Sequence, residues 1–234
     1  MAPDGINVLV LGGTGLIGSS FVKECSGSFK ISKIIVLARR SLPIFNGLDK
    51  LELIVEKDTS KWSVIISQLK VKVDVIFSSL VTTSDSKRFS DQKKIDLDLN
   101  VSLIESARYI GVEKVIMVTS VNNSILSKIF PYFYLKRQIE HSLISLDFPH
   151  TMLLRPGPLV GDRSSLRDNV SLSTWLSSQV ANWTYCTPCS SLFGFSIKAE
   201  EVVCAALFQI GFSDKVKILT SEEMYSIAHD IDII

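Results

Sequence analysis

The chain has 234 residues, of which 46% are hydrophobic and 21% charged, and its formal net charge is +1. This length fits a single large domain, and the near-neutral charge gives no electrostatic footprint for nucleic acid or an anionic membrane. No apolar run reaches the length of a membrane span, and the four scattered cysteines form neither a disulfide framework nor a zinc motif. We therefore expect an intracellular protein without a presequence or a metal site, in contact with membranes only peripherally.

The first predicted element is a buried strand that leads into a glycine-rich turn and then a helix. Apolar residues 8–11 end at Gly12, and Gly15 and Gly18 follow at G-x-x-G-x-x-G spacing. Gly12 permits a tight turn, Gly15 lets the backbone approach a pyrophosphate, and Gly18 allows close packing of helix and strand. The helix N-terminus then offers N–H groups to phosphates. This pattern predicts a dinucleotide-binding site. The alternative is a glycine-rich strand-to-helix connection that binds no ligand. Its expected contact residues are Gly12, Thr14, Gly15, Leu16, Ile17 and Gly18.

The rest of the chain alternates predicted strands and helices. Strands are expected at residues 33–38, 51–55, 74–78, 114–118, 151–154 and 215–219. Helices are expected at 62–70, 93–110, 135–146, 199–210 and 221–230, and Gly111 is placed as a helix stop. The sequence therefore predicts an α/β fold of Rossmann type. Its doubly wound, mostly parallel sheet would have six to seven strands with helices on both faces, in one domain over residues 1–234.

One segment, residues 157–197, interrupts this alternation. It is rich in serine, contains Trp175 and Trp183, and has weak periodicity. Late insertions in such sheets cover the crevice outside the carboxyl ends of the strands. We expect a substrate lid here, with a loosely packed surface excursion as the alternative.

The end of the second strand indicates which nicotinamide cofactor would bind. NAD-binding versions of this turn place an acid there, whereas this chain has Arg39 and Arg40 and no acid between residues 36 and 43. An arginine can pair with a 2′-phosphate, which favours NADP(H), and Arg39 is the better candidate. Two solvated surface arginines are the alternative. Asp58 could accept a hydrogen bond from the adenine amino group or serve only as a turn residue.

Candidate catalytic residues follow the fifth strand. Ser120 comes directly after it, and Tyr132 and Lys136 lie four residues apart on one face of the next helix. An ammonium beside a phenol favours the phenolate, so the tyrosine could exchange a proton near neutral pH while the serine polarises a substrate oxygen. Lys136 could also bond the nicotinamide ribose. A tyrosine–lysine pair on a helix surface is the alternative explanation.

Together these motifs resemble the short-chain dehydrogenase/reductase superfamily in its extended or atypical branch. More narrowly, the chain resembles the fungal "found in mitochondrial proteome" proteins and the animal Tat-interacting oxidoreductase-like protein. The matching stretches include Leu37-Ala38-Arg39-Arg40, Asp58-Thr59-Ser60-Lys61-Trp62 and Leu154-Arg155-Pro156-Gly157. The resemblance implies a Rossmann fold, NADP(H) binding and, for the fungal group, peripheral attachment to the mitochondrial outer membrane. It also implies that Leu80 and Thr82 lie along the cofactor and that Pro156 and Gly157 shape its nicotinamide end.

The chain departs from the usual pattern of these relatives at one point of the catalytic segment. It has Thr119-Ser120 where they carry Ser-Ser, and Val121-Asn122-Asn123 follows where they tend to have Gly-Ala. Either Thr119 or Ser120 is therefore a candidate for the catalytic hydroxyl.

The sequence favours an NADP(H)-dependent oxidoreductase that acts on an unidentified carbonyl or alcohol. An NADPH-binding regulatory or scaffold protein is the main alternative, because the fold alone does not decide function. An epimerase or dehydratase is disfavoured, since the part after the sixth strand is short for a sugar-nucleotide domain.

Overall fold

The computed structural model describes residues 5–81, 93–121, 131–160 and 195–230. Its main feature is a seven-stranded sheet of order β3-β2-β1-β4-β5-β6-β9, in which every neighbouring pair is parallel. The strands are β1 (Ile6–Leu11), β2 (Ile31–Ala38), β3 (Leu51–Val55), β4 (Val75–Ser78), β5 (Lys114–Val118), β6 (His150–Arg155) and β9 (Val216–Thr220). Two further strands, β7 (Leu159–Val160) and β8 (Ile197–Lys198), form a separate parallel pair. The predicted doubly wound α/β fold is confirmed.

Helices cover both faces of the sheet. They are α1 (Leu16–Gly27), α2 (Trp62–Ser67), α3 (Asn100–Tyr109), α4 (Pro131–Ser145), α5 (Ala199–Phe208) and α6 (Ser221–Asp230). The predicted helix over 93–110 is present, but its first seven residues, Lys93–Leu99, form a π-helical turn. It ends as expected at Gly111, whose φ is +89°. None of the described helices is both long and apolar enough to cross a lipid bilayer.

The core consists of two hydrophobic layers separated by the sheet. In β1, Val8 and Val10 pack into one layer, while Leu9 and Leu11 pack into the other, because successive side chains of a strand point to opposite faces. Residues of α1, α5 and α6 complete the first layer, and residues of α2, α3 and α4 complete the second. Burial on both faces explains why the inner strands β1, β2 and β4 contain nearly continuous apolar runs.

Most of the predicted lid, residues 161–194, lies outside the described residues. The two ends of the segment are described, and they meet. Leu159 of β7 pairs with Ile197 of β8, and Val160 pairs with Lys198. The function of the segment as a lid stays a prediction.

Candidate functional site

The glycine turn lies at the carboxyl edge of the sheet, between β1 and β4. Gly12 has a φ of +77°, and a Cβ there would lie 2.6 Å from the carbonyl carbon of Ser79 and 2.7 Å from the nitrogen of Leu80. A Cβ on Gly18 would overlap the carbonyl oxygen of Gly12. Glycine is therefore required at both positions by the contact of the turn with its own helix and with the end of β4.

Gly15 differs from these two glycines. Its backbone is extended, with φ −86° and ψ 173°, and its N–H donates to Gly12 O at 3.0 Å. A Cβ on Gly15 would make only one ordinary contact, at 3.4 Å, with that same oxygen. Neither backbone conformation nor packing in the described structure demands glycine here. A glycine at this position leaves the space beside the helix N-terminus open to a ligand.

Within the part of the chain that the structure describes, no side chain caps the first turn of α1. Gly15 is its N-cap and supplies no capping side chain, and the first turn carries no acidic residue. Its first N–H groups are therefore available for an anion, which the helix dipole also favours. Ile17 packs its side chain into the core and Leu16 is partly buried against it, so a contact of either residue with a ligand through its backbone stays a prediction. Thr14 is half-buried beside them.

The segment after β4 is fixed by a buried amide that the sequence analysis missed. Ser78 Oγ donates to Asn100 Oδ1 at 2.7 Å, and Asn100 Nδ2 donates to Leu80 O at 2.8 Å and to Asp96 O at 3.0 Å. Asn100 is fully buried, so these bonds hold Leu80 against the glycine turn. Asn100 is a polar residue beside the apolar stripe of the 93–110 helix, and that position is the sequence feature from which a buried amide could have been predicted. Thr82 lies outside the described residues.

The predicted adenosine end lies beside the turn. Leu37 of β2 pairs with Leu11 of β1, which places Arg39 two residues beyond that pair at the same edge of the sheet. Arg39 and Arg40 are both exposed. Asp58 caps a short 3₁₀ turn, with Oδ1 accepting from Ser60 Oγ at 2.7 Å and Ser60 N at 3.0 Å. These hydrogen bonds lower the pKa of the Asp58 carboxyl. In the structure Asp58 stabilises this turn, and its contact with adenine stays a prediction.

The two candidate hydroxyls after β5 have different surroundings. The Thr119 side chain is buried, and its Oγ1 donates to Glu140 Oε1 at 2.8 Å. Thr119 N donates to Leu154 O at 2.8 Å and Val121 N donates to Pro156 O at 3.2 Å, so the backbone on both sides of Ser120 is tied to the end of β6. Ser120 itself is half-buried.

Helix α4 begins at the same edge of the sheet. A helix that connects parallel strands runs antiparallel to them, so Pro131 starts α4 where β5 and β6 end. Tyr132 belongs to the first turn of α4, and its side chain lies outside the described part of the structure. Lys136 follows one turn later and is 3% exposed.

A buried ion pair next to these residues was also missed from the sequence. Arg155, the last residue of β6, donates from Nε to Glu140 Oε1 at 2.9 Å and from Nη2 to Oε2 at 2.8 Å. The Glu140 side chain is 5% exposed and that of Arg155 is 22% exposed. Two residues after Arg155, Gly157 N donates to Ser221 Oγ at 2.6 Å. That bond ties Gly157 to the start of α6, and the Val121–Pro156 bond holds Pro156 close to the chain after Ser120.

Comparison with known proteins identifies relatives along nearly the whole chain. The sequence profile of the HIM1 family matches residues 40–185. The protein named FMP52, mitochondrial, from Saccharomyces cerevisiae is 35% identical over 232 residues, which cover 97% of this chain and 98% of the yeast protein. The resemblance to the fungal mitochondrial group is confirmed.

Solved structures with the same fold share little sequence with the chain. MoeE5 in complex with UDP-glucose and NAD superimposes with a TM-score of 0.65 at 17% identity, over 96% of this chain and 81% of its own. A short-chain dehydrogenase from Streptomyces avermitilis gives a TM-score of 0.64 at 14% identity, over 100% and 94% of the two chains. These likenesses confirm a Rossmann-type α/β fold.

Proposed function

The chain belongs to the HIM1 family, and from that premise we propose that it is an NADP(H)-dependent oxidoreductase of the short-chain dehydrogenase/reductase type. Its substrate would be a carbonyl compound or the corresponding alcohol. The observation that carries the proposal is the glycine turn. Packing requires glycine at positions 12 and 18, whereas at position 15, beside the start of α1, no contact among the described residues requires glycine. A pyrophosphate lying against that backbone would supply the reason.

The proposed cofactor fits the order of residues along the carboxyl edge of the sheet. The strand order makes β1 and β4 the topological switch point, where ligands bind in open α/β sheets. Arg39 after β2 would pair with the 2′-phosphate, and Gly12, Thr14, Gly15, Leu16, Ile17 and Gly18 would hold the pyrophosphate. The segment from Leu80 would run along the cofactor, and Pro156 and Gly157 would close the nicotinamide end. The solved neighbour MoeE5 is described with NAD, and the exposed arginine after β2 supports NADP(H) for this chain.

Ser120, Tyr132 and Lys136 are the proposed catalytic residues. Bound NADPH would supply a hydride to the substrate carbonyl carbon. Tyr132 would donate a proton to the carbonyl oxygen, Ser120 would hold that oxygen by a hydrogen bond, and the ammonium of Lys136 would favour the ionised phenol and bind the ribose. Ser120 rather than Thr119 is the proposed hydroxyl, because Thr119 already donates to the buried carboxylate of Glu140.

The first prediction separates an enzyme from an NADPH-binding regulatory protein. In a Tyr132→Phe variant we expect NADPH to bind with unchanged Kd, while kcat for reduction of a carbonyl probe such as 9,10-phenanthrenequinone falls at least about a hundredfold. Fluorescence titration measures the first quantity and NADPH consumption the second. A variant that turns over at the wild-type rate removes the proposed mechanism. A wild-type protein that binds NADPH without reducing any member of a carbonyl panel supports the regulatory alternative.

We also propose a location for the protein. The yeast relative is named mitochondrial, and the fungal resemblance favours peripheral attachment to the outer membrane. Carbonate washing of isolated mitochondria tests this proposal, since a peripheral protein is released into the supernatant and an integral one is retained.

A further inference from the structure

We infer that Glu140 and Arg155 are positioning residues. They fix α4, which carries the proposed catalytic residues Tyr132 and Lys136, to the segments after β5 and β6 that carry Ser120 and Pro156. This inference rests on the proposed function of the site. It concerns two residues that contact neither the substrate nor the reacting atoms. They act through the geometry of Tyr132, Lys136 and Ser120.

The argument begins with the position of Glu140 on α4. It lies one helical turn after Lys136 and two turns after Tyr132, so the backbones of all three residues share one face of the helix. Lys136 and Glu140 are both almost completely buried, with exposures of 3% and 4%. A carboxylate at such a depth is costly unless it is paired and hydrogen-bonded.

Three hydrogen bonds connect this carboxylate to two different strands. Both oxygens accept from Arg155 at the end of β6, and Oε1 also accepts from Thr119 just after β5. A bidentate arginine–carboxylate pair restricts orientation as well as distance, unlike the point charge of a lysine. The pair therefore fixes how α4 sits relative to both strand ends.

The same strand ends carry the other parts of the proposed site. The residues on either side of Ser120 are hydrogen-bonded to Leu154 and Pro156, which flank Arg155. A shift of α4 relative to Arg155 would therefore change the distance between Lys136 and Ser120. It would leave the glycine turn in place, because that turn is held by Ser79, Leu80 and Asn100.

The experiment uses a double variant that removes the ion pair without leaving a buried charge. Replacing a buried ion pair by apolar residues of similar volume is often neutral for stability, so Glu140→Met with Arg155→Met is expected to fold. Its Kd values are measured for NADPH and for 2′,5′-ADP, which lacks the nicotinamide half. We expect the Kd of NADPH to rise at least about fivefold and that of 2′,5′-ADP to stay the same. The kcat for the carbonyl probe should fall further than the cofactor KM rises.

Arg155→Lys provides a second variant, which keeps the charge and loses the bidentate geometry. It should show the same selective loss for NADPH to a smaller extent. Glu52→Gln is the matched control, since it removes a carboxylate from the exposed ion pair of Glu52 with Lys33 at the far edge of the sheet. No change in either Kd is expected there.

Two results would overturn the inference while leaving the proposed function intact. One is a folded double variant that keeps the wild-type preference for NADPH over 2′,5′-ADP, and the other is an equal loss of affinity for both ligands. A wild-type protein that binds neither nucleotide overturns the proposed function, and this inference with it.

Discussion

At the scale of single residues, Arg39 is the residue that we propose selects NADP(H) over NAD(H). It is exposed at the end of β2, beside the glycine turn. In an Arg39→Asp variant the Kd of NADPH should rise at least about tenfold, because a charge-assisted pair is replaced by repulsion of the 2′-phosphate, while that of NADH changes little. Titration with both nucleotides measures the difference. Lys70→Asp makes the same charge change at an exposed site after α2 and should affect neither nucleotide. Equal losses for NADPH and NADH would remove the case for a phosphate contact.

Residues of the site differ in how far the sequence could predict them. The glycine turn is formed by residues close in sequence, so the spacing of its glycines predicted a close approach of helix and strand. The short distances around Gly12 and Gly18 agree with this prediction. The pair of Glu140 and Arg155 is separated by 15 positions and has no local pattern. Its formation depends on the position at which α4 packs beside β6. A tertiary contact of this kind cannot be read from one sequence.

At the scale of elements, Gly111 shows what ends a helix in this fold. Gly111 N donates to Arg108 O at 3.0 Å and Val112 N to Ala107 O at 3.1 Å, with Gly111 at a φ of +89°. A Cβ there would meet no atom within 4 Å, so Gly111→Ala should destabilise the protein through the backbone alone, by about 1–2 kcal/mol. Gly27→Ala, also in open space but without a positive φ, should be neutral or slightly stabilising. Urea unfolding measures both, and equal effects would contradict the explanation.

The helix over 93–110 also shows what the spacing of apolar residues cannot predict. Spacing of apolar residues predicted helix over 93–110, and of that stripe Leu103 and Ala107 are fully buried while Leu99 and Ile110 are partly buried against the core. The spacing did not predict the π-helical turn of Lys93–Leu99. Asn100, directly after that turn, donates to the carbonyl oxygens of Leu80 and Asp96. The hydrogen-bonding pattern of the helix is therefore linked to the loop after β4, which lies far away in sequence.

At the scale of the whole molecule, stability depends on the two layers on either side of the sheet. Phe77 of β4 stacks on Phe21 of α1 with ring centroids 3.7 Å apart, and both are fully buried. Phe77→Ala should cost about 3–5 kcal/mol of unfolding free energy, from lost burial and the cavity that remains. Phe29→Ala makes the same change at a side chain that is 91% exposed, and should stay within about 0.5 kcal/mol of wild type. Chemical denaturation compares the two, and a cost for Phe77→Ala near that of Phe29→Ala would contradict this layered core.

The doubly wound, parallel sheet was the whole-molecule property that general rules predicted best, because alternating strands and helices lead to parallel strands with helices on both faces. The order of the strands, in which β1 is third of seven, was not predicted. The interruption at 157–197 was visible as a loss of periodicity. The pairing of its two ends was not, because strands of two residues are too short for an alternating pattern.

The pairing of β7 with β8 has a consequence for engineering and for divergence within the family. Since β7 and β8 are paired, the two ends of the stretch between Val160 and Ile197 lie side by side, and we propose that this stretch can be exchanged as a cassette between relatives. On the proposal that this stretch covers the substrate, chimaeras joined at these two positions should change substrate preference and leave the affinity for the proposed nucleotide unchanged.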